Sequence, residues 1–231
     1  MSAPSDPAAA FLRPFFHGLL HRRVTVRPTP RGWLALLLAV GLAGGMVLRW
    51  LPQFLEVQDP VPGGVLVLEG WANDDVLGRA RQEYAKGGYL VWCVTGEPLD
   101  KSGPLIEYRD FATLTVANFE KLGGTPGTLH PVTWKSVRRD RTYASALALK
   151  SWLRERGLPA EKVNVVTKGV HARRSRLLYE KAFGAGTRVG VIAVPELDFD
   201  VNRWWTTSGG FRAVVDESVA YIYARCFFRG R

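Results

Sequence analysis

The order of apolar and polar residues divides the chain into three stretches with different periods. Trp33 to Leu48 (WLALLLAVGLAGGMVL) is apolar all round, leaving a helix no polar side to turn toward water. It is shorter than the roughly 20 residues of a spanning helix. Trp33 and Trp50 suit the two membrane interfaces, however, and Arg49 can extend its charge to the headgroups. The pattern predicts a transmembrane signal anchor over 32–51. Before it, residues 1–31 set Pro4, Pro7, Pro14, Pro28 and Pro30 among small residues, which predicts a largely disordered tail with room for a short interfacial helix over Phe11 to Leu20. Residues 52–64 mix proline, glycine and acids as a linker does.

From Val65 onward, short apolar runs alternate with helical patterns. Val65-Leu66-Val67-Leu68-Glu69, before Gly70, reads as a buried parallel strand. A helix follows from Asp74 to Lys86, with Asp74 as cap, Val76, Leu77, Ala80 and Tyr84 on one face, and Gly87-Gly88 as its stop. Tyr89 to Val94 predicts a second strand closed by Thr95-Gly96-Glu97, Leu105 to Leu122 a helix, and Thr128 to Trp134 a third strand. Thr142 to Arg156 predicts a helix with Ala144, Leu147, Ala148 and Trp152 or Leu153 inward. Val163 to Thr167 is a fourth strand, His171 to Phe183 a helix, Val189 to Val194 a fifth strand, and Val214 to Phe228 a closing helix. Such alternation predicts an α/β domain over 65–231: a doubly wound, mainly parallel sheet of about five strands with helices on both faces.

Charge orients this arrangement. The formal net charge of the 231-residue chain is +10, and the tail supplies +4 of it, with Arg13, Arg22, Arg23, Arg27 and Arg31 against Asp6. Between Arg49 and Arg79 every charge is acidic: Glu56, Asp59, Glu69, Asp74, Asp75. The positive-inside rule then predicts a single-pass inner-membrane protein with a cytoplasmic N-terminus and an extracytoplasmic domain. A cleavable leader fits less well, because cutting at Ala43-Gly44-Gly45 would expose Met46-Val47-Leu48. The remaining basic residues cluster at Lys135, Arg138, Arg139 and Arg141 and again at Lys168, Arg173, Arg174, Arg176 and Lys181. These clusters suit anionic lipid heads or anionic glycans, and the outward topology argues against nucleic acid.

Several chemistries lack their signatures. There is no G-x-G-x-x-G after the first strand, no P-loop lysine and no G-x-S-x-G elbow, and Ser175 and Ser208 have no nucleophile context. Cys93 and Cys226 form no C-x-x-C pair, and sequence spacing leaves a bridge between them open. Two of the four histidines, His17 and His21, lie in the tail, so no metal site is expected.

In open parallel sheets ligands bind beyond the carboxyl ends of the strands. Here that rule selects Glu69 to Trp71, Thr95 to Glu97, Trp134 to Arg141, Thr167 to Arg174 and Pro195 to Trp205. His171, Glu69 and Glu97 are the candidate acid–base groups. Thr95, Gly96, Arg141, Thr142 and Arg174 are candidates for holding an anionic substrate, and Trp71 for stacking on a sugar, a role that Trp204-Trp205 could share. Asp140 or Thr142 can cap its helix, and His171 can do the same for the next one. Asp198 and Asp200 lie on a loop within reach of the same edge.

These elements together resemble the YdcF/SanA/ElyC family of bacterial envelope proteins, over about Val65 to Val194. The resemblance is carried by the strand to Glu69-Gly70, Arg79-Ala80, Gly88, Thr95-Gly96-Glu97, Glu107, Arg141-Thr142-Tyr143, and above all Val165-Val166-Thr167 before His171 and Arg174. The chain departs from the family at Glu69, where a small residue is usual, at Arg141 for asparagine, and at Ala144-Ser145 for a Glu-Asn pair. The resemblance implies a Rossmann-like fold and a role in peptidoglycan, lipid-carrier or surface-polysaccharide processes. One cytosolic relative is associated with S-adenosylmethionine, a cofactor disfavoured here by the outward topology. Two functions follow as expectations: an enzyme acting on an anionic or glycan-linked small molecule or lipid intermediate, and a noncatalytic envelope binding or scaffold protein.

Overall fold

The structure is a computed structural model that describes residues 14–15, 20–21, 27–70, 73–99, 108–134 and 139–230. It divides into two units, Met1–Val47 and Leu48–Arg231. In the first, Pro14–Phe15 (β1) pairs antiparallel with Leu20–His21 (β2), so the segment expected to form an interfacial helix carries a strand pair instead. The expected disorder of the tail falls largely on residues outside the described ones.

Among the described residues one helix, Pro30–Leu55 (α1), is long and apolar enough to cross a membrane, and none of its most apolar window is buried. At 26 residues it is about 39 Å long, more than the roughly 30 Å of a hydrocarbon core. It runs past residue 51 into the expected linker, because Leu51, Phe54 and Leu55 pack in a small apolar cluster with Val170, Trp204 and Val214. The linker that follows is held in place. Asn164, fully buried, accepts from Val61 N at 2.7 Å and donates to Val61 O and Gly63 O, and Gln58 accepts from Ala193 N.

In the second unit a five-stranded parallel sheet is flanked by helices. Its strands are Gly64–Glu69 (β3), Tyr89–Gly96 (β4), Leu129–Thr133 (β5), Lys162–Lys168 (β6) and Arg188–Val194 (β7), in the order β5-β4-β3-β6-β7. Strand residues alternate between two cores, as a pleat buried on both sides requires. Val65, Val67, Cys93, Val163 and Val165 face Arg141–Glu155 (α4) and Ala172–Phe183 (α5). Leu66, Leu68, Trp92, Val94 and Ile192 face Asp74–Ala85 (α2) and Phe111–Lys121 (α3). The last helix, Ser208–Cys226 (α6), packs on α5.

Four local expectations are corrected. The cap of α2 is Asn73, whose side chain accepts from Val76 N, while Asp74 lies in the first turn. Helix α3 begins at Phe111, behind an Asp110 cap, rather than at Leu105, which lies outside the described residues with Glu107. On α4 Leu153 is buried as expected, together with Ser145, Ala146 and Leu149, whereas Ala144, Leu147, Ala148 and Trp152 are half-buried. That helix packs on the sheet and beside α5, which rotates the most buried face by about one residue from the apolar stripe. His171 does not open a helix: it ends a 3-10 turn, Gly169–His171, and α5 starts at Ala172.

Candidate functional site

The strand order reverses between β3 and β6, which leaves their carboxyl ends side by side. A cavity of about 470 Å³ opens there. Its floor is Glu69, the last residue of β3 and only 2 % exposed. Thr167 Oγ1 donates to Glu69 Oε2 at 2.5 Å, and Ser175 Oγ, on the first turn of α5, lies 3.1 Å from both carboxylate oxygens. Among the described residues no cation lies within ion-pairing distance of Glu69. Burial therefore pushes its carboxyl above the ordinary range, outweighing the two hydroxyls and the more distant charges of Arg174 and His171. The Tyr179 hydroxyl is likewise pushed up by burial and by the nearby Glu69 charge.

Glu217, from the middle of α6, closes the other side. Arg174 grips it with two parallel bonds, Nε to Oε2 at 2.7 Å and Nη2 to Oε1 at 2.8 Å. His171 Nδ1 lies 2.6 Å from Oε1. Burial opposes the charge of Glu217, but its contacts with His171 and Arg174 overcome this and hold the carboxyl down at about 2. A third N–H of the same guanidinium, on Nη1, reaches Thr142 Oγ1 at 3.2 Å, tying the first turn of α4 to the array.

At the rim, Arg141 Nη1 meets Glu97 Oε1 at 2.5 Å, and the Arg141 side chain is 64 % exposed. Asp140 before it sits at φ 55°, a left-handed conformation that aspartate tolerates, and makes no side-chain cap bond. Gly96 is required by space: a Cβ there would lie 1.9 Å from Ala112 N, because the end of β4 abuts the first turn of α3. The remaining wall is apolar, built from Leu178, Ala220, Ala224, Tyr223 and Phe228. Trp134 adds a buried indole N–H that has no partner among the described residues.

Eight of the nine residues selected from sequence line this one cavity: Glu69, Thr95, Gly96, Glu97, Arg141, Thr142, His171 and Arg174. Trp71 lies outside the described residues. The other loop candidates are elsewhere. Asp198 pairs with Lys168, Asp200 accepts from Asn202 N at 2.9 Å, and Trp204 is buried with its N–H on Leu48 O. Trp205 is exposed. Two assignments change. Arg174 spends three N–H groups inside the protein and positions Glu217 and His171 rather than offering an open fork. His171 precedes α5 without a side-chain cap bond.

Sequence reasoning missed Glu217 and Tyr179, gave Ser175 no role, and placed Thr167 at the site's edge without a role. For Glu217 a signal existed: with Val214 and Ala224 it lies on the inward stripe of α6, the one acid among buried small and apolar side chains. Among the described residues no group of three or more His, Cys, Asp or Glu side chains is placed to hold a metal ion. Cys93 and Cys226 are both free, the first buried with its thiol pushed up to about 12, the second exposed. Comparison of the chain with known protein families, with curated proteins and with solved structures gives no match.

Proposed function

We propose that this protein is a membrane-anchored envelope enzyme. A single span, α1, leaves the N-terminus cytoplasmic, and a Rossmann-like domain outside the membrane acts on an anionic or glycan-linked substrate, as the likeness to YdcF/SanA/ElyC proteins implies. The observation that carries this reading is the pair of buried carboxylates in one cavity whose surroundings drive their proton affinities apart, the arrangement by which a site separates an acid from a permanent anion. Glu69, whose proton affinity is raised by burial, donates a proton to the leaving-group oxygen as the bond to that oxygen breaks and takes one back from solvent. His171 is the partner base, taking a proton from the water whose oxygen bonds to the centre the leaving group quits; it is oriented through Nδ1 by Glu217, whose charge Arg174 neutralises. Arg141, the exposed member of the rim pair, exchanges Glu97 for an anionic group of the substrate. The apolar wall from α6 accommodates the non-sugar part.

The test uses full-length protein in detergent, incubated with polyprenyl-phosphate-linked saccharides and with peptidoglycan fragments, the products being read by mass spectrometry. Turnover by the wild type and a loss on the order of 100-fold or more in Glu69→Gln and His171→Ala, with binding retained, is the expected result. Wild-type rates in both variants, or no binding and no turnover of any member of the panel, would overturn it.

A further inference from the structure

Helix α6 is apolar on two opposite sides. Its inward stripe, Gly210, Val214, Glu217 and Ala224, is buried against the domain. A second stripe, Phe211, Val215, Val219, Ile222 and Cys226, advances by three or four residues per step; Val215 is half-buried against the Leu55–Trp204 cluster, and the other four are exposed on the outward side. Phe211, Ile222 and Val219 on it are 50 %, 55 % and 62 % exposed. A helix that is apolar on both sides is one that is covered on both sides.

The neighbours of α6 identify what covers it. Phe54, on the last turn of α1, packs edge-on against Tyr221 with ring centroids 5.5 Å apart, and Leu55 shares a buried cluster with Val214 and Trp204. The Trp204 indole donates to Leu48 O at 2.9 Å. Helix α6 is thus fastened to the very residues at which the apolar run of α1 ends. Exposed at the same junction are Trp50 and Trp205, the residue type that settles at lipid–water boundaries. The outward side of α6 carries Arg212 and Arg225 against Asp216, a balance suited to anionic headgroups.

We infer that the outward stripe of α6 lies in the headgroup region of the bilayer that α1 crosses, so that α6 is an interfacial helix with the domain on one side and lipid on the other. This rests on the membrane span proposed above. It also deepens the functional reading, because Tyr223 is both half-exposed beside the stripe and part of the cavity wall. The cavity mouth then adjoins the lipid surface, and the substrate is met there rather than in bulk water.

Cys226 is a native reporter, since it sits on the stripe while Cys93 is buried. Full-length protein labelled at Cys226 with a solvatochromic fluorophore is reconstituted in nanodiscs of phosphatidylcholine and phosphatidylglycerol, with and without brominated acyl chains. Quenching of at least about twofold by the bromolipids is expected, and the triple variant Phe211→Ser, Val219→Ser, Ile222→Ser should lose most of it while still co-eluting with discs. An unquenched, water-exposed label in co-eluting wild type overturns the inference and leaves the span intact. Efficient Cys226–Cys226 crosslinking in discs, with no quenching, replaces lipid by a second copy of the chain and also overturns it. Failure of the protein to co-elute with discs overturns the span and the inference together.

Discussion

Glu69 and Glu217 line the same cavity and are almost equally buried, 2 % and 6 % exposed, yet their surroundings shift their proton affinities in opposite directions. Glu69 receives hydrogen bonds from two neutral hydroxyls, whereas Glu217 is clasped by a guanidinium and touched by an imidazole. Burial therefore does not decide the charge of a carboxylate by itself. The desolvation of Glu69 is left largely uncompensated, and that of Glu217 is more than offset by a full opposite charge at 2.7–2.8 Å. The chain supplies the difference through position: Thr167 and Ser175 approach Glu69 from β6 and α5, while Arg174, one residue before Ser175, turns toward α6.

The most severe way to break the contrast is Glu217→Ala, which strands Arg174 as a buried, unpaired cation. The expected loss is roughly 3–5 kcal/mol, or about 10 °C in Tm for a domain of this size, read by calorimetry or circular dichroism. Replacing both partners, Glu217→Leu with Arg174→Met, should recover most of that stability while abolishing function, since a buried pair stabilises little beyond an apolar isostere.

A pH series separates the two carboxylates without mutation. Glu217 has its folded value depressed from 4.5 to about 2, so its contribution is fully present above pH 4.5 and is lost as pH falls toward 2. A shift of that size corresponds to roughly 3 kcal/mol. Urea unfolding between pH 2 and 6 should show this acid-side loss in the wild type and not in Glu217→Gln. Glu69 works with the opposite sign. Its folded value is raised above 4.5, so the folded state holds the extra proton, and stability declines as pH rises from 4.5 through the folded value. Glu69→Gln should gain on the wild type as pH rises from 4 into the alkaline range.

The smallest effect is expected at the rim. Arg141→Ala removes an exposed pair and should change stability by less than about 1 kcal/mol, a difference that moderate salt erases. If it instead destabilised the domain as much as Glu217→Ala, the division between a structural pair inside and an exchangeable pair outside would fail.

Much of this arrangement was legible in the residues, and the boundary of legibility has a physical cause. Strand-end positions such as Glu69, Thr95 and Thr167 are fixed relative to one another once the parallel sheet is recognised, because the hydrogen-bond ladder leaves little freedom. Arg141 and His171 follow because Arg141 opens the helix after β5 and His171 ends the short turn after β6. Glu217 does not follow, because α6 lies outside the repeating strand–helix unit. The inward stripe of α6 marks Glu217 as buried, but its partner Arg174, 43 residues away on α5, depends on packing that this period does not encode. Hence the role expected of Arg174 was also incomplete: without knowledge of Glu217, a guanidinium at a helix start looks open to an external anion. The rotated face of α4 has the same origin, since α5 covers a flank that an isolated apolar stripe would leave to solvent.

The central claim, that one cavity raises the proton affinity of Glu69 and lowers that of Glu217, is tested most directly by carbon-13 NMR titration of glutamate carboxyl resonances, assigned with the Glu69→Gln and Glu217→Gln variants. The account predicts a Glu69 resonance that titrates above pH 4.5 and a Glu217 resonance that stays ionised down to about pH 2. Midpoints near 4.5 for both, or the reverse order, would contradict it.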